Sequence, residues 1–415
     1  MGQTLVEKII ARAANREKVQ AGEIVDVRVD RLMINDLLGP TVFKNFESLG
    51  AKEIVNPDRI VFGIDHRVPP PDVKLAEKLK FSRDFCYKHD LPGFREIGRH
   101  GIGHQIMCEH FTRPGEIAVG TDSHATMYGG LGAVACGINS ADAAVIMATG
   151  KMWMKVPSSI KITINGKLNK AVTAKDISLR MLTLAPVDRF IYRSIEFAGN
   201  GAEEISVSGR LTIANLVAET GAKCGIFHAD QKTAEYLGEE VEMLRADKDA
   251  VYEEEYSVNA AELKPLLACP HMMDNVKELD EVAGTPIDQC FLGSCTNGRI
   301  EDFEQAAEIL KGRKVHRNTR LIAVPASQEI YLEATRRGLT EILLEAGAAI
   351  MIPSCAACAG NGPGVMAAGE RCLSTTNRNW KGRMGSTESE VYLGSAYAVA
   401  AAAVAGKIVS PLEFI

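Results

Sequence analysis

The sequence predicts a multidomain α/β protein, and three observations carry that prediction. Short β-branched runs alternate with helix-like stretches over residues 1–157 and again from 265 onward; a segment of different, period-two texture lies between them; and 415 residues suffice for two or three buried cores. In the first stretch VDVRVD, RIVFGID and EIAVGTD read as strands, and VKLAEKLKFSRDFCYKH and SADAAVIMATGKMWMK as helices. Ahead of them, Leu5, Ile9, Ile10 and Ala13 have the spacing of an amphipathic helix. SIKITINGKL (159–168) is a period-two strand with an Asn165-Gly166 turn, and it opens a smaller unit that runs past the acidic stretch AVYEEEYSVN to residue 264. Beyond Pro265, IDQCFLG, TRLIAVPA and GAAIMIPS are strands, while EDFEQAAEILKG and EIYLEATRRGLTEILLEAG are helices. The predicted domains are therefore 1–157, 158–264 and 265–415, with no 20–50-residue repeat among them.

Composition narrows the function classes. The chain is 46% apolar and 24% charged, as in ordinary soluble proteins, and its 37 glycines suggest many tight turns near ligands. A net charge of −6 and the absence of any long Lys/Arg block argue against nucleic-acid binding. The N-terminus lacks the apolar core of a signal peptide, and Val6 stands where myristoylation needs Ser or Thr. The most apolar run, YAVAAAAVAG (397–406), is far shorter than the ~20 residues of a membrane span. A cytoplasmic location without membrane attachment follows as the expectation, and there ten cysteines read as buried thiols, metal ligands or catalytic groups rather than disulfides.

Three motifs carry chemistry. In PSCAACAGN, Cys355 and Cys358 follow the run AAIMIPS, which puts them on a loop at a strand's C-terminal end, where open α/β sheets hold ligands. Cys295, sixty residues before Cys355, occupies a similar junction in IDQCFLGSCTNGRIEDF, whereas Cys290 lies inside that strand on the face of Leu292 and reads as a core thiol. Such thiols are compatible with a zinc site, a redox pair, or an iron–sulfur cluster whose three cysteines leave one iron open as a Lewis acid. In EIAVGTDSHATMYGGLG, Asp122, Ser123 and His124 end a strand, followed by glycines that permit close backbone approach but lack phosphate-loop spacing. In STTNRNWKGRMG, Arg378 and Arg383 present guanidinium forks suited to a dicarboxylate.

The stretches LGSCTNGRIEDF, SCAACAGN and STTNRNWKGRMGS resemble the signature segments of the aconitase superfamily, most closely its branch of 3-isopropylmalate dehydratase and homoaconitase large subunits. FGIDHRVPPPD, GIGHQI, VGTDSHATMYGGLGAVACG, SIEFAG and the ELKP–ACPHMMDN region extend the resemblance, in the family's order, over almost the whole chain. It implies an α/β, three-domain aconitase-like large subunit with layers around a cluster-bearing cleft, and a 4Fe–4S cluster on Cys295, Cys355 and Cys358 whose fourth iron binds the substrate's hydroxyl and a carboxylate. It further implies that Asp65 and His66 hand a proton to the departing hydroxyl, and that His104 and Glu196 pair near it. Asp122, Ser123 and His124 would border cluster and substrate, Asn377 would approach the cluster, and Arg378 and Arg383 would hold a substrate carboxylate.

The implied activity is that of a hydro-lyase interconverting 2- and 3-hydroxy isomers of a substituted succinate through an alkene diacid, as in leucine biosynthesis. Homoaconitase and 2,3-dimethylmalate dehydratase are the alternatives within that class, and a non-catalytic cluster- or zinc-binding protein is the alternative outside it. The sequence closes at GKIVSPLEFI without the swivelling fourth domain that carries the family's serine base and further arginines, so a separate small subunit is the expected partner. Two departures stand out: NDLLGP (35–40) replaces an HDGT-type segment, and SCAACAGN lacks the Gly-Pro found between the cysteines of some relatives. Neither removes a ligand.

Overall fold

The computed structural model describes residues 2–415 and divides into two compact units, Met1–Asn165 with Val187–Ser257, and Gly166–Pro186 with Val258–Ile415. The first unit holds a five-stranded parallel sheet in the order Gly93–Arg95, Ile60–Gly63, Arg31–Asn35, Ile117–Gly120, Val134–Gly137. All four residues of Ile60–Gly63 and of Ile117–Gly120 are buried, as a strand covered on both faces requires. The chain enters at the middle strand, Arg31–Asn35, lays two strands on one side, then returns to lay two on the other. Connections therefore diverge from the gap between Arg31–Asn35 and Ile117–Gly120, and the carboxyl ends of those strands border the crevice.

A second sheet in this unit runs Cys224–Phe227, Ser194–Ala198, Ser159–Asn165, Glu254–Asn259, the first three strands parallel. Two glycines of the GGLG run form a close seam with the strand Cys224–Phe227 and the helix Val207–Leu216 of this unit. A Cβ on Gly129 would lie 1.7 Å from the Gly225 carbonyl oxygen, and one on Gly130 would lie 2.8 Å from the Leu211 nitrogen. Backbone meets backbone there, so these glycines serve the chain's own packing rather than a ligand. Gly129→Ala is expected to cost about 3 kcal/mol of stability through overpacking; an unchanged urea midpoint would refute the seam.

Two elements differ from expectation at a glycine. In SADAAVIMATGKMWMK the helix is only Ser140–Thr149; Gly150, at φ 69°, closes it, and Lys151–Lys155 pairs antiparallel with Ile24–Arg28. Likewise Gly338, at φ 72°, splits the expected long helix into Gln328–Arg336 and Leu339–Ala346.

The second unit is built on a seven-stranded sheet, ordered Val276–Glu278, Leu266–Ala268, Glu390–Leu393, Arg371–Ser374, Gln289–Leu292, Arg320–Ala323, Ala349–Ile350. The last five run parallel and the first two are antiparallel additions. Here the chain diverges between Gln289–Leu292 and Arg371–Ser374. The alanine-rich run forms the helix Ala396–Ala405, whose Ala398 N–H donates to the Ser395 hydroxyl at 3.3 Å and which packs into the core with Phe303, Ile309 and Leu310. Among the described residues no helix is long and apolar enough to cross a membrane.

The segment Gly166–Pro186 contributes the helix Ala174–Met181, opened by a capping box of Thr173 and Asp176. The Asp176 carboxylate also accepts the Leu266 N–H at 2.7 Å. Burial raises its pKa from an ordinary 3.8 to about 6, against the opposing pull of these backbone donors. Between about pH 4 and pH 6 the folded form keeps a proton that the unfolded chain has released, so this group's stabilisation is full below that window and lost as pH rises through it. The change is worth up to about 3 kcal/mol, and Asp176→Asn is expected to remove that component from the pH dependence of the urea midpoint.

Candidate functional site

In the first unit the predicted acid–base residues gather at the carboxyl ends flanking the divergence of the five-stranded sheet. His66, just beyond Ile60–Gly63, places Nδ1 2.7 Å from Asp65 Oδ1 and 3.1 Å from Asp36 Oδ1. Both neighbours are carboxylates, so Nδ1 carries the proton and Nε2 is the ring nitrogen where a proton can be gained or lost. Asp36 also accepts the backbone N–H of His66 at 3.2 Å and of Arg67 at 3.3 Å, while Asp65 Oδ2 accepts the Gly103 N–H at 2.7 Å. Burial pushes the Asp65 carboxyl up, with His66 only partly offsetting it; at Asp36 burial acts the same way but the His66 contacts outweigh it, and the pKa falls. Two acids around one imidazole thus have their affinities for protons driven apart.

A second group lies beyond Ile117–Gly120. Asp122 Oδ1 is 3.2 Å from His104 Nε2, and His104 Nδ1 meets the Tyr128 hydroxyl at 2.9 Å. His124 Nε2 lies 2.8 Å from Glu219 Oε1, and its Nδ1 is 3.4 Å from the Ser123 hydroxyl. Burial would raise the Asp122 pKa, but hydrogen bonds from His104 and His124 prevail and hold it well below the usual carboxylate range. Exposed Ser123 also lines a cavity of about 600 Å³ that includes Cys136, Trp153, Tyr192 and Lys223, within the size range of small-molecule sites.

The pairing of His104 with Glu196 differs from expectation. Glu196 accepts the Val6 N–H at 3.1 Å and the Tyr252 hydroxyl at 2.8 Å, so it anchors the N-terminal helix Leu5–Ala13. The buried glutamate that meets a predicted site histidine is Glu219. The residues missed by sequence reasoning are therefore Asp36 and Glu219. Asp36 lies within the NDLLGP segment, directly after the strand Arg31–Asn35, and that position was its only available signal.

In the second unit, Cys295 follows Gln289–Leu292, Cys355 and Cys358 follow Ala349–Ile350, and Asn377 follows Arg371–Ser374. All three cysteines are buried. The Asn377 amide joins two of them: its Nδ2 donates to Cys295 Sγ at 3.3 Å, and its Oδ1 accepts from Cys358 Sγ at 3.5 Å. Arg383 Nη2 stands 3.7 Å from Cys358 Sγ, and the Cys358 N–H donates to the Cys355 carbonyl at 3.0 Å. Arg378 lies over the Trp380 ring, 4.8 Å from its centroid. Ser294 and Ala356, each adjoining a cysteine, hold left-handed φ values of 80° and 46°. Such non-glycine conformations cost about 1–3 kcal/mol each and concentrate at functional sites. Cys290 and Cys372 lie within their strands, with buried thiols pushed well up in pKa chiefly by desolvation, and are core groups.

A sequence profile described as the aconitase family (aconitate hydratase) matches residues 7–284 and 274–406, nearly the whole chain. The chain belongs to the aconitase family. Similar proteins include the 3-isopropylmalate dehydratase large subunits of Thermoanaerobacter sp. (strain X514), 45% identical, and Acetivibrio thermocellus, 43% identical, with all of both chains covered. That of Hydrogenobaculum sp. (strain Y04AAS1) is 44% identical, covering this chain fully and 98% of its own length. The fold is similar to that in a crystal structure of Thermococcus kodakaraensis aconitase X (holo-form), with TM-score 0.51, 12% identity, and coverage of 85% and 84% of the two chains.

For an aconitase-family chain, Asp36 is a testable addition. Because it fixes both the backbone and the ring of His66, Asp36→Asn is expected to lower kcat by about 10–100-fold, the usual range for a group that orients a functional histidine. A kcat within twofold of the unsubstituted protein in steady-state assays would remove Asp36 from the site.

Proposed function

We propose that this chain is the large subunit of a cytoplasmic 3-isopropylmalate dehydratase, interconverting 2- and 3-hydroxy isomers of a substituted succinate through an alkene diacid. The carrying observation is the set of three buried thiols, Cys295, Cys355 and Cys358, on loops at the carboxyl ends of parallel strands of one sheet. Full-length similarity to proteins named for that reaction supports the reading.

The donor set fits a 4Fe–4S cluster. Three sulfur donors leave one of four irons without a protein ligand, and the Asn377 amide and Arg383 guanidinium lie where hydrogen bonds to anionic sulfur would be made. When bound, the cluster would supply Lewis acidity for a hydroxyl and a carboxylate at its open iron. The remaining work falls to the chain. His66, oriented by Asp36 and Asp65, would protonate the departing hydroxyl from Nε2. Asp122, kept ionised, would fix His104 and His124 beside Ser123 for polar contacts to the substrate. Arg378 would offer a bidentate contact to a carboxylate, and Arg383 would serve carboxylate and cluster edge alike.

The relatives' designation as large subunits supports a small partner carrying the serine that takes the C–H proton. Anaerobic reconstitution with iron and sulfide, co-purification with a candidate small subunit and an ultraviolet assay for alkene across isopropylmalate, homocitrate, citramalate and dimethylmalate test the proposal. Alkene from isopropylmalate supports it; a full cluster with no alkene from any diacid ends the enzymatic reading.

A further inference from the structure

Lys175 is among the largest fully buried side chains, at 1% exposure, on the helix Ala174–Met181 of the second unit. Its Nζ donates to the carbonyls of Thr376 at 2.7 Å and Thr375 at 2.8 Å, and to Asn297 Oδ1 at 3.5 Å. Three acceptors match the three hydrogens of an ammonium group. Those acceptors belong to the loop that leads into Asn377 and the loop that leads out of Cys295. Asn297 passes the contact on, its Nδ2 donating to Asp302 at 2.7 Å, and Asp302 also accepts the N–H groups of Gly298 and Arg299 at 2.8 and 2.9 Å. Arg299 returns to the carbonyls of Cys295 and Thr296 at 3.2 and 2.8 Å.

The direct acceptors of Lys175 are all uncharged: two carbonyls and an amide. Burying an ammonium ion without a bonded anion costs several kcal/mol, and neutral donors could hold the same carbonyls at lower cost. Burial lowers the ammonium pKa to about 7, and it does so against the favourable charges of Asp302, one amide removed, of Cys295 and Cys358, and of Asp176.

We propose that Lys175 is a positioning and counter-charge residue for the iron–sulfur cradle, tying the Cys295 loop to the Asn377 loop and lending buried positive charge that stabilises the reduced cluster. This inference rests on the cluster reading above. Removing the charge makes the cluster harder to reduce, whereas Lys175→Arg keeps the charge even if packing suffers.

The test uses the full chain reconstituted anaerobically with iron and sulfide, with iron per chain and the fraction of reduced cluster followed by electron paramagnetic resonance during a dye-mediated titration. At the potential where the unsubstituted cluster is half reduced, Lys175→Met is expected to lower the reduced-to-oxidised ratio about tenfold, equal to about 59 mV for a one-electron couple. Lys175→Arg is expected to stay within twofold. A purely structural Lys175 would lower the melting temperature in both lysine variants and leave the ratio unchanged. An unchanged ratio in an iron-replete Lys175→Met chain, or equal shifts in Met and Arg variants, overturns the proposal. Should Lys175→Met fail to fold, Lys175→Gln, which keeps a donor for the Thr375 and Thr376 carbonyls without the charge, takes its place: an unchanged ratio overturns the proposal and a lowered one supports it. An unsubstituted chain that takes up no cluster defeats the parent reading and this inference together.

Discussion

Cys358→Ser is expected to leave a folded chain that no longer assembles a complete cluster and no longer forms alkene. The serine hydroxyl occupies less space than the thiol and can keep the contact to Asn377 Oδ1, so little packing is disturbed. Iron–sulfur ligation, however, needs a thiolate, which the oxygen of serine replaces poorly. Cys290→Ser is the matched control. Its thiol is fully buried in the strand Gln289–Leu292, and a hydroxyl there without a partner costs about 1–3 kcal/mol, yet iron and sulfide content should match the unsubstituted chain. Iron loss in Cys290→Ser, or a full cluster in Cys358→Ser, would reassign the ligands.

The second large effect is expected at His66. His66→Asn should lower kcat by about 10²–10⁴-fold, the span of general acid catalysis by a positioned side chain, with iron content unchanged. Asparagine can still donate toward Asp65 or Asp36 but carries no proton that can be transferred near neutral pH. The alkaline limb of the pH–rate profile should change in the same variant, since a general acid works only while it carries its proton. An intact kcat with His66 replaced would leave Asp65 and Asp36 as structural clamps and return the acid's role to another group.

The sequence made some of these features visible and concealed others, for physical reasons. Cys295 and the Cys355/Cys358 pair were legible because each follows an apolar run that can only be a strand, and strand ends in parallel sheets are where ligands meet. Cys290 was separable from them by period-two alternation alone. Asp36 was hidden because its importance is a contact to a residue thirty positions away, and Glu219 because nothing in a helical context marks a glutamate that will face His124. Glu196 resembled a site residue in its local string, yet the N-terminal helix occupies its carboxylate. The GGLG glycines were rightly read as permitting close approach, but a string of glycines does not reveal that the approaching group is Gly225 rather than a ligand. Gly150 shows the same limit: apolar spacing continues across it while its positive φ ends the helix.

The discontinuity of the second unit has a consequence for biosynthesis. Lys175 bonds to a carbonyl 201 positions later in the chain, so at about 5–20 residues per second the ribosome needs roughly 10–40 s to deliver that partner. Throughout that interval the segment 166–186 waits for a unit whose remaining chain, 258–415, is synthesised only after the other unit has been finished at residue 257, and apolar Ile177 and Leu179 stay uncovered meanwhile. A nascent chain of this kind is a natural client for trigger-type chaperones, and slowing translation downstream of residue 186 should lower soluble yield.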